Sequence, residues 1–324
     1  MKEQIKKLSA LADCLVFYIE DSMARGQSNA TVNTKNNLLL MFIRWALIQG
    51  IEHIKEIDLY VMEDYRRYVS AYRKPKNNEP LSIVTQAQRL IALTTFLNRM
   101  FYYDVIIDNF FTKFELPRTG KRLPKFVPDE EQVELIINQA LVKGKIGIRD
   151  RAIIEMFYAS GIRRNELANL DIRHVDAKKL AVTVRKGKGS YDRTVPIVQR
   201  TIDALNDYLE NDYLENVRPE LATFESGDAL FLGMTGKRIL SSKLTELVGD
   251  YVRRSGVSEN GACHVLRYAT GTHMLENGAD IRVVQEQLGH EDISSTQLYA
   301  LVSIKHLKKV HAKTHPFSNK RPPH

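Results

Sequence analysis

Four separate segments of the chain carry side chains suited to phosphate chemistry. They are SGIRRNEL with Arg163, RKGKGS with Lys188, HVLR with His264 and Arg267, and LGHEDISSTQLY with His290 and Tyr299. The planar guanidinium groups of two arginines can donate hydrogen bonds to the non-bridging oxygens of a phosphate, and histidines can accept or release a proton. A lysine can protonate a leaving oxygen, and a tyrosine hydroxyl is then available as the nucleophile.

A tyrosine nucleophile depends on its surroundings, because a free phenol titrates near pH ~10 and only on the order of one in a thousand is ionised at neutral pH. That fraction corresponds to about 4 kcal/mol. Two guanidinium groups and one or two imidazoles around a phosphodiester can supply this stabilisation without a metal. The sequence contains no H-E-x-x-H, D-x-D-x-D-G or Cys/His ribbon motif. The residues therefore indicate metal-free phosphoryl transfer through a covalent phosphotyrosine, without a cofactor.

Each of these residues also has an ordinary structural explanation. The chain has 14 tyrosines, and a tyrosine is usually a packed amphipathic side chain. Arg163 could merely pair with Glu166 on the same helix face, and Lys188 could be an exposed turn residue. The histidines could be hydrogen-bonded or surface side chains. Only the joint order and spacing of the residues favour one shared site.

The N-terminal part of the chain has the apolar spacing of helices. In NNLLLMFIRWALIQG, Leu38, Met41, Phe42 and Trp45 recur at helical intervals, and Gly50 ends the pattern. Two further helical periods, in LYVMEDYRRYVSAYR and SIVTQAQRLIALTTFLNRMFYY, are separated by the polar, proline-bearing KPKNNEP. These patterns predict a small helical bundle.

The remainder of the chain combines helices with a short β segment. VPDEEQVELIINQAL and GIRDRAIIEMFYASGI predict two helices, the second of which ends at Gly161. In KKLAVTVRKGKGSYDRTVPIV the pattern changes to the alternation of Leu180, Val182 and Val184, which predicts a β-hairpin or a short meander. Helical patterns resume from Ser241. The expected fold class is therefore mainly α with a small β-sheet.

The net charge of +8 is concentrated in two short segments. Residues 117–128 hold four basic residues and no acid, and residues 301–324 hold six and none, whereas residues 129–300 hold 22 basic and 26 acidic residues. A basic segment is ordinarily a solvated surface, but a basic, proline-rich connector also suits a chain that wraps a polyanion.

The composition predicts a cytoplasmic protein without a membrane segment. No run of about 18 uncharged apolar residues occurs, and acids interrupt the apolar stretch near the start of the chain. Cys14 and Cys263 lie far apart without C-x-x-C spacing, so we expect neither a zinc site nor a disulfide framework.

Four motifs together resemble those of the tyrosine recombinases, or phage-integrase family, and most closely those of the bacterial Xer recombinases XerC and XerD. The motifs are SGIRRNELANL, RKGKGSYDRTVPI, HVLRYATGTHMLENGADIRVVQEQLGHEDISSTQLY and HLKKVHAKTHP. The resemblance covers roughly residues 28–316. The third motif is long and ordered, which makes chance agreement remote.

The resemblance implies a particular division of the chain. Residues 1–116 correspond to a helical core-binding (SAM-like) DNA domain, and residues 117–128 to a basic linker. Residues 129–300 correspond to a mixed α/β catalytic domain, and residues 301–324 to a basic tail that docks on a neighbouring subunit. Such proteins clamp DNA between the two domains.

The resemblance also implies roles for single residues. Arg163 and Arg267 would bind the scissile phosphate, His264 and His290 would assist by proton handling and phosphate contact, and Glu166 would orient the site. One departure is that many relatives read H-x-L-R-H where this chain reads HVLRY. That position is outside the core catalytic set, so the departure bears on packing or specificity.

The remaining chemistry falls to two residues of the C-terminal half. Lys188 would be the acid for the leaving 5′-oxygen, and Tyr299 would attack to form a 3′-phosphotyrosyl link. The linker would contact DNA through its basic residues, which are Arg118, Lys121, Arg122 and Lys125.

The implied function is site-specific recombination through a Holliday junction. The substrate would be double-stranded DNA with an inverted-repeat core site, bound by a homo- or hetero-tetramer, with room for an activating partner protein. A type IB topoisomerase-like enzyme that relaxes DNA and a non-catalytic DNA-binding protein on the same fold are the alternatives. No residue separates roles in chromosome-dimer resolution, plasmid resolution, phage integration and transposition.

Overall fold

The computed structural model describes residues 8–120, 126–185, 192–209 and 217–290, together with Ile5, Lys308, His311 and Ala312. The chain divides into two compact units, Met1–Lys121 and Arg122–His324. No helix in these described ranges combines the length and the hydropathy that a membrane span requires.

The first unit is a helical bundle, as the sequence patterns predict. Its helices are α1 (Leu11–Ala24), α2 (Asn29–Ile48), α3 (Leu59–Ala71) and α4 (Ile83–Tyr102). Three of them begin at a side chain that accepts a hydrogen bond from the backbone N–H three residues later, namely Ser28, Asp58 and Ser82. Such caps satisfy backbone donors that have no partner within the helix, which is why the helices begin there.

Aromatic pairs lie in the core of the first unit, among aliphatic side chains. The rings of Tyr18 and Phe96 lie 5.4 Å apart and those of Phe42 and Tyr65 lie 5.0 Å apart, in both pairs edge to face. All four side chains are fully buried. Because edge-to-face pairs add to the free energy gained from burial, these contacts fix how the helices pack.

The second unit is built from helices and one small sheet. The helices are α5 (Glu130–Leu141), α6 (Lys145–Ser160), α7 (Arg164–Ala168), α8 (Gln199–Leu209), α9 (Val217–Leu221), α10 (Ser241–Arg254), α11 (Cys263–Glu276) and α12 (Ile281–Leu288). The strands are β1 (Val175–Asp176), β2 (Ala181–Val184) and β3 (Arg193–Pro196). The expected fold class, mainly α with a small β-sheet, is confirmed.

The sheet is an antiparallel meander in the order β1-β2-β3. Its register pairs Val182 with Val195 and Val184 with Arg193. The predicted alternation is wrong at its first member, because Leu180 precedes β2 and has a φ of +49°. Positive φ belongs to tight turns rather than to strands, so the strand begins one residue later.

Helix α6 is the centre of the second unit. Its Ala152, Ile153, Ile154 and Phe157 are completely buried in the main hydrophobic core. The helix ends, as predicted, at Gly161, whose φ of +62° is a left-handed cap. A Cβ atom at this position would lie 2.5 Å from the Leu288 Cδ2 atom, so the cap also requires the absence of a side chain.

A side chain at Gly161 would have two costs, the strain of a positive φ and the collision with Leu288. Comparison with Gly256 separates these two costs. Both residues have positive φ, but a Cβ atom at Gly256 would meet nothing within 4 Å. Gly256→Ala should lower the free energy of unfolding by about 1–2 kcal/mol through strain alone. Gly161→Ala should cost about 1–3 kcal/mol more, because the side chain overpacks the contact with Leu288.

The measurement is urea unfolding of the full-length variants, followed by circular dichroism. Equal losses in the two variants would show that the contact between α6 and the end of α12 is looser than described.

Candidate active site

Arg267 is held at the junction of two helix ends. Its side chain projects from α11 and is only 6% exposed. The Nη1 group donates to the carbonyl of Gly161 at 2.5 Å, and the Nη2 group donates to the carbonyl of Leu288 at 2.8 Å. Both carbonyls belong to C-terminal turns, where unsatisfied oxygens and the helix dipole favour a cation. The buried charge therefore has the hydrogen bonds that its burial requires.

Arg163 reaches the same helix end from another direction. It is the residue that precedes α7, and its Nη2 group donates to the carbonyl of Gly289 at 2.7 Å. Its Nη1 group donates to Glu166 Oε1 at 3.1 Å. The simple pairing of Arg163 with Glu166 considered for the sequence therefore exists, but only alongside the contact with Gly289. Two consecutive carbonyls, of Leu288 and Gly289, thus hold the two candidate phosphate-binding arginines.

Glu166 lies between Arg163 and a second arginine. Arg193, the first residue of β3, donates to Glu166 Oε1 at 2.9 Å and to Oε2 at 2.8 Å. Burial alone would raise the pKa of Glu166, but the hydrogen bonds from Arg193 and from the backbone of Arg163, with both positive charges, lower it to about 2. Glu166 is therefore ionised at any pH at which the protein would work.

Arg193 is the member of this cluster that the sequence analysis missed. The one local signal was an arginine at the start of a short strand, directly after the glycine-rich turn. An arginine that a strand directs inward needs a buried acidic or carbonyl partner, and Glu166 and Leu288 provide both kinds.

The two candidate histidines lie in the field of these arginines. Burial, followed by the charges of Arg267, Arg163 and Arg193, lowers the pKa of His290 to about 4. The pKa of His264, at the exposed start of α11, is also lowered, first by partial loss of solvent and then by the charges of Arg267 and Arg164. Both imidazoles are therefore neutral at pH 7.

Several predicted site residues lie outside the described residues, so nothing structural is said of them. They are Lys188, Tyr299, Lys121, Arg122 and Lys125. Arg118 is described, in the first unit, and is exposed. Across the described ranges, no three His, Cys, Asp or Glu side chains come together as a possible metal site.

The described cluster is suited to an anion. It contains three guanidinium groups and one carboxylate, an excess of two positive charges. The Arg163 side chain is 41% exposed, so a ligand can reach it, whereas Arg267 approaches from the protein interior. A phosphodiester would meet a charged, partly dehydrated surface, where charge-assisted hydrogen bonds are stronger than in bulk water.

Comparison with known proteins identifies the family. A model of the phage integrase family matches residues 127–306. The tyrosine recombinase XerC 2 of Ralstonia nicotianae is 37% identical over 299 residues, which are 92% of this chain and 84% of the relative. The tyrosine recombinase XerD of Staphylococcus epidermidis is 31% identical over 299 residues, which are 90% of this chain and 94% of that protein.

Solved structures agree with this chain in fold. The XerH site-specific recombinase, bound to a palindromic difH substrate in a post-cleavage complex, has a TM-score of 0.68 at 21% identity, over 96% of this chain and 92% of that one. A lambda integrase tetramer bound to a Holliday junction has a TM-score of 0.67 at 13% identity, over 90% of this chain and 78% of that one. The fold is therefore that of the tyrosine recombinases.

These findings confirm the family that the four sequence motifs predict. Because the family model covers more than half of the chain and the two relatives cover most of it, this protein belongs to the phage integrase family and is a tyrosine recombinase, an enzyme that transfers DNA strands in site-specific recombination.

Proposed function

We propose that this recombinase cuts and rejoins each DNA strand at a phosphate bound by Arg163 and Arg267, through a covalent link to Tyr299. The observation that carries the proposal is the binding of both guanidinium groups to the consecutive carbonyls of Leu288 and Gly289. Within the described residues, the Arg163 side chain donates two hydrogen bonds, to Glu166 and to the carbonyl of Gly289, and a guanidinium has five N–H donors. The others can bind a phosphate oxygen.

The proposed cleavage step makes one bond and breaks another. The phenolic oxygen of Tyr299 attacks phosphorus, and its proton passes to His264 or His290. The bond from phosphorus to the 5′-oxygen breaks, and Lys188 gives that oxygen a proton. In the second step the 5′-hydroxyl of another strand attacks the phosphotyrosine, so that Tyr299 is released and a strand is exchanged. Bond energy is conserved in the covalent link, so no high-energy cofactor is needed.

The proton affinity of the histidines would depend on the substrate. With a pKa of about 4, His290 is a weak base in the absence of DNA. A bound phosphate brings negative charge close to the cations that lower this pKa, which raises it. His264 and His290 would thus gain the ability to hold a proton when the scissile phosphate is in place.

We propose duplex DNA with an inverted-repeat core site as the substrate, and a tetramer of recombinase subunits as the active assembly. The complexes of XerH with palindromic DNA and of a lambda integrase tetramer with a Holliday junction support this proposal. Residues 1–116 would be the core-binding domain and residues 129–300 the catalytic domain. An intracellular DNA substrate would place the protein in the cytoplasm.

The basic segments would complete the DNA and subunit contacts. The linker, residues 117–128, would bind backbone phosphates through its basic residues, which are Arg118, Lys121, Arg122 and Lys125. Arg118 is exposed, as such a contact requires. Residues 301–324 would dock on a neighbouring subunit, with their positive charge near the DNA.

The nucleophile is tested with Tyr299→Phe on a nicked suicide substrate. The recombination site is first found by sequencing the DNA ends that the wild-type protein holds covalently in the genomic DNA of its host. Wild type should form a protein–DNA adduct, and Tyr299→Phe should form none while its DNA affinity stays within about two-fold, because the substitution removes only the hydroxyl. Electrophoresis under denaturing conditions measures the adduct.

Tyr102→Phe is the matched control, since Tyr102 is an exposed tyrosine of α4, and it should form the adduct normally. An adduct with Tyr299→Phe would refute the assignment. Relaxation of supercoiled plasmids that lack the site would instead favour the topoisomerase alternative.

The leaving-group acid is tested with a substrate whose bridging 5′-oxygen is replaced by sulfur. A thiolate leaves with little need for a proton, so the acid becomes dispensable. Lys188→Ala should slow cleavage of the oxygen substrate by about 10²–10⁴-fold and should cleave the sulfur substrate at nearly the wild-type rate. Single-turnover cleavage measures both rates.

Lys186→Ala, on the same segment, is the control and should cleave both substrates like wild type. If sulfur speeds Lys188→Ala no more than it speeds the wild type, Lys188 is not the acid.

The ionisation of His290 is tested by an NMR titration of the DNA-free protein. The imidazole should lose its proton near pH 4, so it is neutral throughout the physiological range. Arg163→Ala should move the midpoint upward, towards the ordinary value of about 6.5, because one of the three nearby cations is removed. His290→Gln identifies the resonance. A wild-type midpoint above 6 would mean that the imidazole is more solvated than the geometry implies.

A further inference from the structure

We propose that Arg193 is a positioning residue for strand cleavage: by clamping Glu166, it sets the place of the Arg163 guanidinium at the scissile phosphate. The inference rests on the proposed role of Arg163. It concerns a residue that does not itself touch the reacting atoms.

Arg193 and Arg163 together saturate the carboxylate of Glu166. Arg193 donates to both oxygens, at 2.9 and 2.8 Å. Arg163 donates to Oε1 through Nη1 at 3.1 Å and to Oε2 through its backbone N–H at 2.8 Å. A carboxylate accepts about four hydrogen bonds, so Glu166 has no acceptor left and cannot rotate without breaking two of them. It is a rigid bridge between the two arginines.

The position of Arg193 is itself fixed by the backbone around it. As the first residue of β3 it pairs with Val184, and its Nη2 group lies 3.4 Å from the carbonyl of Leu288. Its guanidinium packs on Gly289, where a Cβ atom would lie 2.5 Å from the Arg193 Cζ atom. Arg193 therefore joins the sheet, α7 and the end of α12 at one point.

The charges explain why a second arginine is needed. With Arg163 alone, the buried carboxylate of Glu166 would neutralise that guanidinium and draw it away from an incoming phosphate. The positive charge of Arg193 balances the carboxylate. The side chains of Arg193 and Glu166 are only 16% and 10% exposed, so water screens this attraction weakly. The charge of Arg163 is then left for the substrate.

The alternative is that the pair of Arg193 and Glu166 only stabilises the fold. A pH profile separates the two explanations. Without Arg193, its hydrogen bonds and charge no longer lower the pKa of Glu166, which rises, so the carboxyl gains a proton at a higher pH than in wild type and then loses its hold on Arg163. A purely structural pair would change stability but would not add such a midpoint to the cleavage rate of the folded protein.

The groups that surround Glu166 also enter this profile. Arg163, the residue before α7, donates to it, and His290, which follows α12, lies in the field of Arg163, Arg193 and Arg267. The charge of Arg193 lowers the pKa of His290 as well, so removal of Arg193 raises that pKa. The double variant Glu166→Gln with Arg193→Gln separates these effects, because it lacks the Glu166 carboxyl and keeps the shift of His290.

The experiment measures single-turnover cleavage of a suicide substrate between pH 5 and 8, at saturating DNA. Arg193→Gln should be about 10²-fold slower than wild type at pH 7.5, the cost expected of a misplaced binding group. It should also lose activity at a midpoint in the acid range that wild type lacks. Glu166→Gln with Arg193→Gln should lack that midpoint. Arg185→Gln is the matched control, an exposed arginine of the segment after β2, and should behave like wild type.

Arg193→Lys covers the case in which Arg193→Gln fails to fold. Lysine keeps the charge but not the two-pronged contact, so cleavage should slow without the new midpoint. Wild-type rates in Arg193→Lys, or in folded Arg193→Gln, would overturn the inference. So would an acid midpoint in the double variant at the same pH as in Arg193→Gln, because that midpoint would then belong to a histidine and not to Glu166. An absence of cleavage by the wild-type protein would instead contradict the proposed function.

Discussion

The last turn of α12 is the point on which the site depends. Its carbonyls at Leu288 and Gly289 accept hydrogen bonds from Arg267 and Arg163, at 2.8 and 2.7 Å, and Arg193 lies 3.4 Å from the first of them. Guanidinium groups repel one another, so they gather only where enough acceptors face them. A helix end provides such acceptors without adding a carboxylate that would cancel the charge. One carboxylate, Glu166, leaves the cluster positive.

Two glycines make this helix end accessible. Gly161 and Gly289 both have left-handed φ values, of +62° and +64°, and end α6 and α12. A side chain on either would collide with a neighbour, Leu288 in the first case and the Arg193 guanidinium in the second. The close packing that stabilises the second unit therefore also determines the spacing of the arginines. A substitution that loosens the packing at either glycine will therefore displace the arginines.

The sequence predicts those parts of the molecule whose signals are local. Helical spacing predicted α2, α4 and α6, Gly161 predicted the end of α6, and the order of the motifs predicted the family. The segment β1 is only two residues long, which is too short to show a pattern. Arg193 was missed because its partner Glu166 lies 27 residues away, and only the tertiary fold brings them together. Lys188 and Tyr299 remain predictions.

The magnitudes suggest where the catalytic free energy comes from. Ionising a tyrosine at neutral pH costs about 4 kcal/mol. A hydrogen bond that involves a charged group contributes about 1.5–3 kcal/mol, so two such bonds to the phosphate oxygens can offset the cost without a shifted tyrosine pKa. The donors must be in place before the reaction, because moving a guanidinium during it would consume the same free energy. The contacts of Arg163 and Arg267 with helix-end carbonyls hold both groups in place before any DNA arrives.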